Sequence, residues 1–522
     1  MLIKYTVMHR DRDAKKLQHK DHHQSMIITK VIIVDLMARF KRYRYKIIVA
    51  LLVIIILFYL YSQKEYGSEL MSQQEFKQPM DRLSEQLLFQ RQNKNLHSNN
   101  TTNDRFLQGA AGYCNFPNPA SIKEGSHHLD TQGYKLQLAL MMIRHGDRTP
   151  IHTLANRPNP RISCKFSKNE KQTHWIVDKF ITRMQNADKD GSFESMQRYP
   201  NQPYCRQSYL TPQGAVQELL NGLQAKHKYI DGLDLFQQDF SERKVLVKST
   251  VYPRTYQSAN AFMFGFLSDY DTRLKIYKAK TDFCSEKDSG LSCHCPGLEK
   301  YSEPLKNMRK MSKPLLQTIA NFKRKMSRIL SVDVKEIRSL THVFDSLMVR
   351  VCHDVPLPCN KARDSCVDRT IVDTLWGLVG DDLLHHYLYN ENHLKTQHLK
   401  FHPLLVEMYA RMKNITKRSS STKFVLYSGH DITLTPFLML LGIYDGKWPP
   451  YASTLALELY SKEEGSKLHY FLKVIYNGVD RTRELKFCRG LDMCKFKYFE
   501  QFINTHLENM GLDDYDSECL SS

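Results

Sequence analysis

The sequence predicts an α/β domain with a mostly parallel sheet, flanking helices and an inserted helical cap, preceded by a single N-terminal transmembrane helix. Three observations predict it. The apolar runs KLQLALMMI (Lys135–Ile143), KVLVKST (Lys244–Thr250) and KFVLYSG (Lys423–Gly429) each end in a turn. Helix-compatible sequence such as TYQSANAFMFGFL or LTPFLMLLGI follows two of those turns, and strand–loop–helix alternation of this kind builds a mostly parallel sheet. Residues 47–63, IIVALLVIIILFYLYSQ, carry no charge. Finally, 522 residues at 42% apolar content are enough for a large core and too apolar for a disordered chain.

Taken from the N-terminus, residues 1–46 hold twelve Lys/Arg against four Asp and read as a cytoplasmic tail. Seventeen uncharged residues are at the short end for a membrane span, but Ile, Val and Leu nearly saturate 47–63. Tyr43, Tyr45, Tyr59 and Tyr61 suit the two interfaces. A cleaved signal peptide fits less well, because it rarely follows so long a charged tail and needs small residues at its cleavage site. The basic flank KRYRYK (Lys41–Lys46) predicts a type II orientation, with everything after the span lumenal. Residues 64–112 are polar without apolar period and read as a stem. The globular domain then covers 113–522.

The twelve cysteines all follow Tyr113, which fits an oxidised domain with up to six disulfides of open pairing. A zinc site at Cys284, Cys293, His294 and Cys295 is the weaker reading, since the spacing matches no common pattern. Asn99, Asn100 and Asn414 each open an Asn-x-Thr triplet and are candidate glycosylation sites. Of the formal charge of +20, +8 sits in the tail and the rest is spread without a long basic run, and no basic stripe with interleaved aromatics appears, so nucleic acid is not an expected partner. Within the domain, STLALELY and YFLKVIYNG read as a hairpin, and 151–240 with 268–400 read as helical insertions capping the sheet.

Ligands of parallel sheets sit beyond the carboxyl ends of strands, and three charged clusters fall there. Arg144, Arg148 and Arg254 offer guanidinium forks that match phosphate oxygens. His145 among them is kept neutral by its cationic neighbours and is free to attack phosphorus. Asp431, beside His430, is the candidate proton donor to the departing alcohol, which predicts activity favouring acidic pH. Each cluster taken singly is more commonly a solvated loop, a helix start or a stacking arginine. Three parts of one phosphate site at three strand ends are improbable by chance.

With RHGDRTP (Arg144–Pro150), RTYQSA (Arg254–Ala259) and SGHD (Ser428–Asp431), the chain resembles the histidine acid phosphatase branch of the histidine phosphatases over residues 133–477. The resemblance implies His145 as the nucleophile forming phosphohistidine and Asp431 as the proton donor. It implies Arg144, Arg148, Arg254 and His430 as phosphate ligands, and no metal or other cofactor. Within the branch the similarity is greatest to Golgi type II membrane enzymes that remove the 2-phosphate from xylose in the glycosaminoglycan–protein linkage region. That implies a phosphorylated glycan as substrate. The alternatives are an acid phosphatase acting on lysophospholipid or inositol phosphate, or a membrane-anchored protein that only binds anionic glycan.

Overall fold

The computed structural model describes residues 109–115 and 133–520, apart from short breaks at 156, 174–175, 188–192, 238, 268–273 and 302–312. The expected tail, the anchor 47–63, the stem as far as residue 108, and Asn99 and Asn100 lie outside the described residues.

The three apolar runs form adjacent strands: β1 (Lys135–Arg144), β2 (Val245–Thr250) and β4 (Phe424–Gly429), with the short β3 (Ile276–Ala279) outside β2. All of these pair in parallel, β4 lying between β1 and β2. Arg144 stands opposite Gly429, and Ser249 opposite Ser428. The register therefore brings the carboxyl ends of three strands side by side, about 4.8 Å apart from one strand to the next.

The other half of the sheet corrects the expectation of a mostly parallel one. β5 (Thr454–Glu464) and β6 (Lys467–Tyr476) form the predicted hairpin and add antiparallel to the free edge of β1, followed by β7 (Val479–Asp480) and β8 (Cys494–Lys495). The eight-stranded sheet is thus mixed, with β1 as its pivot. The reason is connection length. A two-residue turn with Gly465 at φ 64° returns the chain antiparallel, whereas a parallel neighbour needs a crossover.

Side chains alternate across the pleat of β1 and feed two cores. Ala139, Met141 and Ile143 meet Leu219 of helix α2 (Pro212–Ala225) and Phe262 and Phe266 of α3 (Pro253–Phe266) on one face, with α1 (Ile176–Gln185) outside them. Leu138, Leu140 and Met142 meet the other layer. That layer contains α7 (Glu391–Thr416), α8 (Asp431–Leu440) and α9 (Phe496–Thr505). Each fully buried side chain of this size contributes about 1.5–3 kcal/mol.

The first insertion is therefore only partly a cap, because α2 covers the sheet. The cap itself is α4 (Lys313–Leu330), α5 (Leu340–Cys352) and α6 (Arg369–Tyr389), whose core joins Phe322, Phe344 and Leu375 to Tyr113 and Cys114 from the start of the domain. All twelve cysteines pair: Cys114–Cys352, Cys164–Cys205, Cys284–Cys293, Cys295–Cys519, Cys359–Cys366 and Cys488–Cys494. The three cysteines of the zinc alternative are thus used in disulfides.

Three buried imidazoles dock the C-terminal helices. His506 Nδ1 lies 3.2 Å from His398 Nδ1, and its Nε2 lies 2.7 Å from His402 Nδ1. Burial lowers the pKa of His398 and His402 to about 4, and burial with the two neighbours lowers His506 to about 2. Below pH 6.5 the unfolded chain takes up protons that the folded one refuses, so stability falls as pH drops from 6.5 towards 4. Thermal melts at pH 7 and pH 4.5 should show this loss, and His402→Gln should reduce it; an identical acid sensitivity in the variant would contradict the assignment.

Candidate active site

Arg144 ends β1 and is fully buried. One guanidinium nitrogen (NH2) donates to Tyr113 Oη at 2.6 Å and pairs with Asp431 Oδ2 at 2.8 Å, while NH1 donates to the Pro449 carbonyl. The rings of Tyr113 and Tyr451 flank its cation at 4.9 and 4.6 Å. Most of this side chain is already committed, and what it holds is the carboxylate of Asp431.

His145 follows, 1% exposed. Its Nδ1 lies 2.8 Å from the Gly146 carbonyl oxygen, an atom that can only accept, so Nδ1 carries the proton and Nε2 bears the lone pair. Burial first, then the charges of Arg254, Arg144 and Arg148, hold the imidazole well below its ordinary pKa, so it is neutral throughout the physiological range. This is the state in which a histidine is a nucleophile.

The loop holding it is fixed against α2. A Cβ on Gly146 would lie 2.2 Å from the Gly214 carbonyl oxygen, and one on Gly214 would lie 2.2 Å from that of Asp147. Gly146 thus permits a close approach of the loop to the N-terminal turn of α2. Ser258 accepts from the Gly146 amide at 3.1 Å, and Gln217 accepts from that of Asp147 at 2.7 Å. The Asp147 carboxylate accepts from Thr211 Oγ1 and meets His353 Nε2, both at 2.6 Å, and it raises the His353 pKa against burial. Gly146→Ala should lower Tm by several degrees and remove activity. A variant of normal Tm and activity, by calorimetry and phosphate release, would contradict this packing.

Arg148 pairs with Asp345 Oδ1 at 2.7 Å, and Asp345 Oδ2 accepts from the amides of Ile151 and His152 at 2.6 and 2.8 Å. Burial lowers the Arg148 pKa, but Asp345 outweighs it and the net shift is upward. Arg254 enters from the first turn of α3, behind Pro253, and stacks on Tyr252 with 4.6 Å between its cation and the ring. Its NH2 donates to His430 Nδ1 at 3.4 Å, leaving His430 Nε2 to donate to Thr250 Oγ1 at 2.8 Å. Burial and the Arg148 charge lower the Arg254 pKa to about 10, so it too is a cation at working pH.

Asp431 opens α8. Trp448 Nε1 donates to its Oδ2 at 2.9 Å. Burial raises the Asp431 pKa, but Arg144, Arg148 and the Trp448 N–H outweigh it and hold the carboxyl below the usual range. The rings of His145 and His430 stand 5.5 Å apart. All six residues expected at the site are therefore mutual neighbours. The Nε–H groups of Arg144, Arg148 and Arg254 are buried without a hydrogen-bond partner among the described residues. Three buried, unpaired guanidinium donors around a neutral imidazole are built for an anion with several oxygens.

Residues 135–348 and 380–477 match the family model described as histidine phosphatase superfamily, branch 2. The chain belongs to this superfamily. It is a phosphoric monoester hydrolase. Among curated relatives, 2-phosphoxylose phosphatase 1 of Homo sapiens is 30% identical over 431 residues, 78% of this chain and 85% of that protein. The protein of the same name in Danio rerio is 31% identical over 410 residues, 72% and 78% of the two chains. Lysophosphatidic acid phosphatase type 6 of Homo sapiens is 23% identical over 374 residues, 69% and 81%.

Sequence reasoning missed the groups that hold this histidine phosphatase site in place: Tyr113, Tyr451, Asp345, Trp448, His353 and Thr211. None stands in a recognisable pattern. Tyr113 and His353 each stand beside a cysteine and Thr211 and Trp448 before a proline, whereas Asp345 lies in mid-helix, and only the disulfide pairing makes the first two positions meaningful. Cys114–Cys352 joins the residue after Tyr113 to the residue before His353, so one covalent bond steadies partners of both Arg144 and Asp147. Replacing both cysteines by serine should cost about 2–4 kcal/mol of stability. It should also lower kcat/KM well below the Tm; unchanged kinetics would separate the disulfide from the site.

Proposed function

We propose that this phosphatase removes the 2-phosphate from xylose in the glycosaminoglycan–protein linkage region through a phosphohistidine on His145. The observation that carries the chemistry is the neutral imidazole, proton on Nδ1, set among three buried guanidinium groups with unpaired donors. The relatives named 2-phosphoxylose phosphatase 1 support the substrate, since the chain covers most of their length.

Phosphate oxygens would take the free N–H groups of Arg144, Arg148 and Arg254, with His430 beside them. The Nε2 lone pair attacks phosphorus as the P–O bond to the xylose oxygen breaks, and that oxygen takes a proton from Asp431. Water then adds to phosphorus, giving a proton back to Asp431 as the P–N bond breaks and inorganic phosphate leaves. The arginines neutralise charge that grows on the equatorial oxygens in both steps.

Asp431 is ionised in the free enzyme, so the proton for the leaving alcohol must arrive with the substrate. A phosphate monoester loses its second proton near pH 6. kcat/KM should therefore fall as pH rises above about 6, because the only proton shared between substrate and carboxyl is then gone. A flat profile from pH 5 to pH 8 would remove Asp431 from this role.

The same reading makes the protein a Golgi type II membrane protein, anchored by 47–63 with the catalytic domain lumenal. Six disulfides support an oxidising compartment, and Asn414 is exposed on the last turn of α7, where a glycan could be attached. Phosphate release by the full chain from a 2-phosphoxylose linkage oligosaccharide, lysophosphatidate and inositol hexakisphosphate tests the substrate. Preference for the xylose compound is expected; equal or greater release from either competitor would overturn it.

A further inference from the structure

The cap carries a second feature that catalysis does not use. Helix α4 contains Lys313, Lys323, Arg324, Lys325 and Arg328 and no acidic residue over its 18 positions. Phe322, Met326 and Leu330 bury one face, while Lys313, Arg324, Lys325 and Arg328 are exposed on the other. Lys325 and Arg328 form no ion pair among the described residues. A stretch of like charge without counter-charge repels itself, so it costs stability unless an anion is drawn to it.

This face borders a groove of about 530 Å³ between α4 and α6. Thr318, Asn321, Lys325 and Arg328 line one wall, and Thr374 and Leu378 the other. Phe322, Ile329 and Leu378 also line the groove and make most of its floor apolar, and this floor, edged by two cations, two hydroxyls and an amide, matches a chain of rings whose C–H faces rest on apolar ground while its hydroxyls, carboxylates or sulfates meet the polar edge. We infer that this groove is an exosite for an anionic polysaccharide, gripping the substrate chain away from the reacting phosphate. The inference rests on the glycan reading of the substrate.

Placement supports it. Trp376 leaves α6 between Thr374 and Leu378, on the opposite side of the helix, and its ring packs 5.6 Å from Tyr113, the partner of Arg144. Groove and phosphate cluster therefore lie on two sides of one helix, about 10 Å across. The backbone at the end of α4 is also tied to the loop that follows the nucleophile, since Arg157 NH2 donates to the Leu330 carbonyl at 2.8 Å. A chain leaving the active site has only a few sugar units to cover before reaching the groove.

Other polyanions fit less well. Single-stranded nucleic acid is gripped through exposed aromatic rings, and the one aromatic lining this groove, Phe322, is 5% exposed. A membrane surface needs a free apolar face, and on α4 Phe322, Met326 and Leu330 are buried in the cap core, leaving Leu316 as the one exposed large apolar side chain of this helix.

The test uses the full chain in detergent and a fluorescent heparin decasaccharide as the probe. Lys325→Glu with Arg328→Glu reverses the groove. Lys467→Glu with Lys495→Glu, at the start of β6 and on β8, makes the same change of charge elsewhere. The groove variant should bind the decasaccharide about tenfold or more weakly, the control variant as wild type. Turnover of p-nitrophenyl phosphate should be unchanged in both. Equal weakening by the two variants, or single-stranded DNA of equal charge binding as tightly as heparin, would overturn the exosite. Absence of His145-dependent turnover in wild type would count against the catalytic reading alone, because binding is read separately.

Discussion

His145→Ala lowers kcat by at least about 10⁴-fold towards every phosphomonoester, whatever its leaving group. The covalent step has no other acceptor: His430, 5.5 Å away between ring centres, faces Arg254 with the nitrogen that bears its lone pair. The variant should still fold, because His145 is neutral in place and contributes one local hydrogen bond to its own neighbour's carbonyl. Binding of a phosphate mimic such as tungstate should persist, since the three arginines remain. An inactive variant that also fails to bind tungstate would point to a disturbed loop, and an active one would exclude His145 as nucleophile.

Asp431→Asn carries the second largest effect, and its size depends on the leaving group. An alkyl alkoxide is a poor leaving group and needs its proton, so turnover of a sugar phosphate should fall by about 10²–10⁴-fold. p-Nitrophenolate leaves without help, so phosphorylation by that ester should be spared. Hydrolysis of the phosphoenzyme should still slow, because the same carboxylate takes the proton of the attacking water. Stopped-flow traces of p-nitrophenyl phosphate would then show a burst followed by a slow steady state. The substitution also leaves the Arg144 cation buried without its partner, at a cost of about 3–5 kcal/mol, so the kinetics belong well below the Tm. An equal loss for both leaving groups and no burst would assign Asp431 to structure alone.

How much of this was legible follows from what each residue must do. The reacting residues sit at fixed offsets from strand ends because strand register positions them, and RHGDRTP, RTYQSA and SGHD each follow an apolar run. The helices after β2 and β4 and the β5–β6 hairpin were legible for the same reason, through a change of period or a turn glycine. The apolar runs taken one by one predict a mostly parallel sheet, because the direction of pairing at the free edge of β1 is set by a contact between distant residues.

The supporting residues were hidden by distance. Asp345 reaches Arg148 across 197 positions of chain, and Tyr113 reaches Arg144 only because the first turn of the domain is stapled to α5. Asp147 carries no role in the sequence reading, yet it is fully buried and ties the loop to α2 and to His353. The division of labour among the arginines was equally unreadable. Only the geometry reveals that Arg144 spends most of its donors on Tyr113, Pro449 and Asp431, leaving Arg148 and Arg254 as the more open cations.

The measurement that tests the central claim most directly is a rapid quench into alkali, which preserves phosphohistidine, after mixing the full chain with a ³²P-labelled phosphomonoester. With ³²P-labelled p-nitrophenyl phosphate as that ester, the account predicts label on the peptide containing His145, more of it in Asp431→Asn and none in His145→Ala. Label on another residue, or none in Asp431→Asn while phosphate is still released, would contradict it.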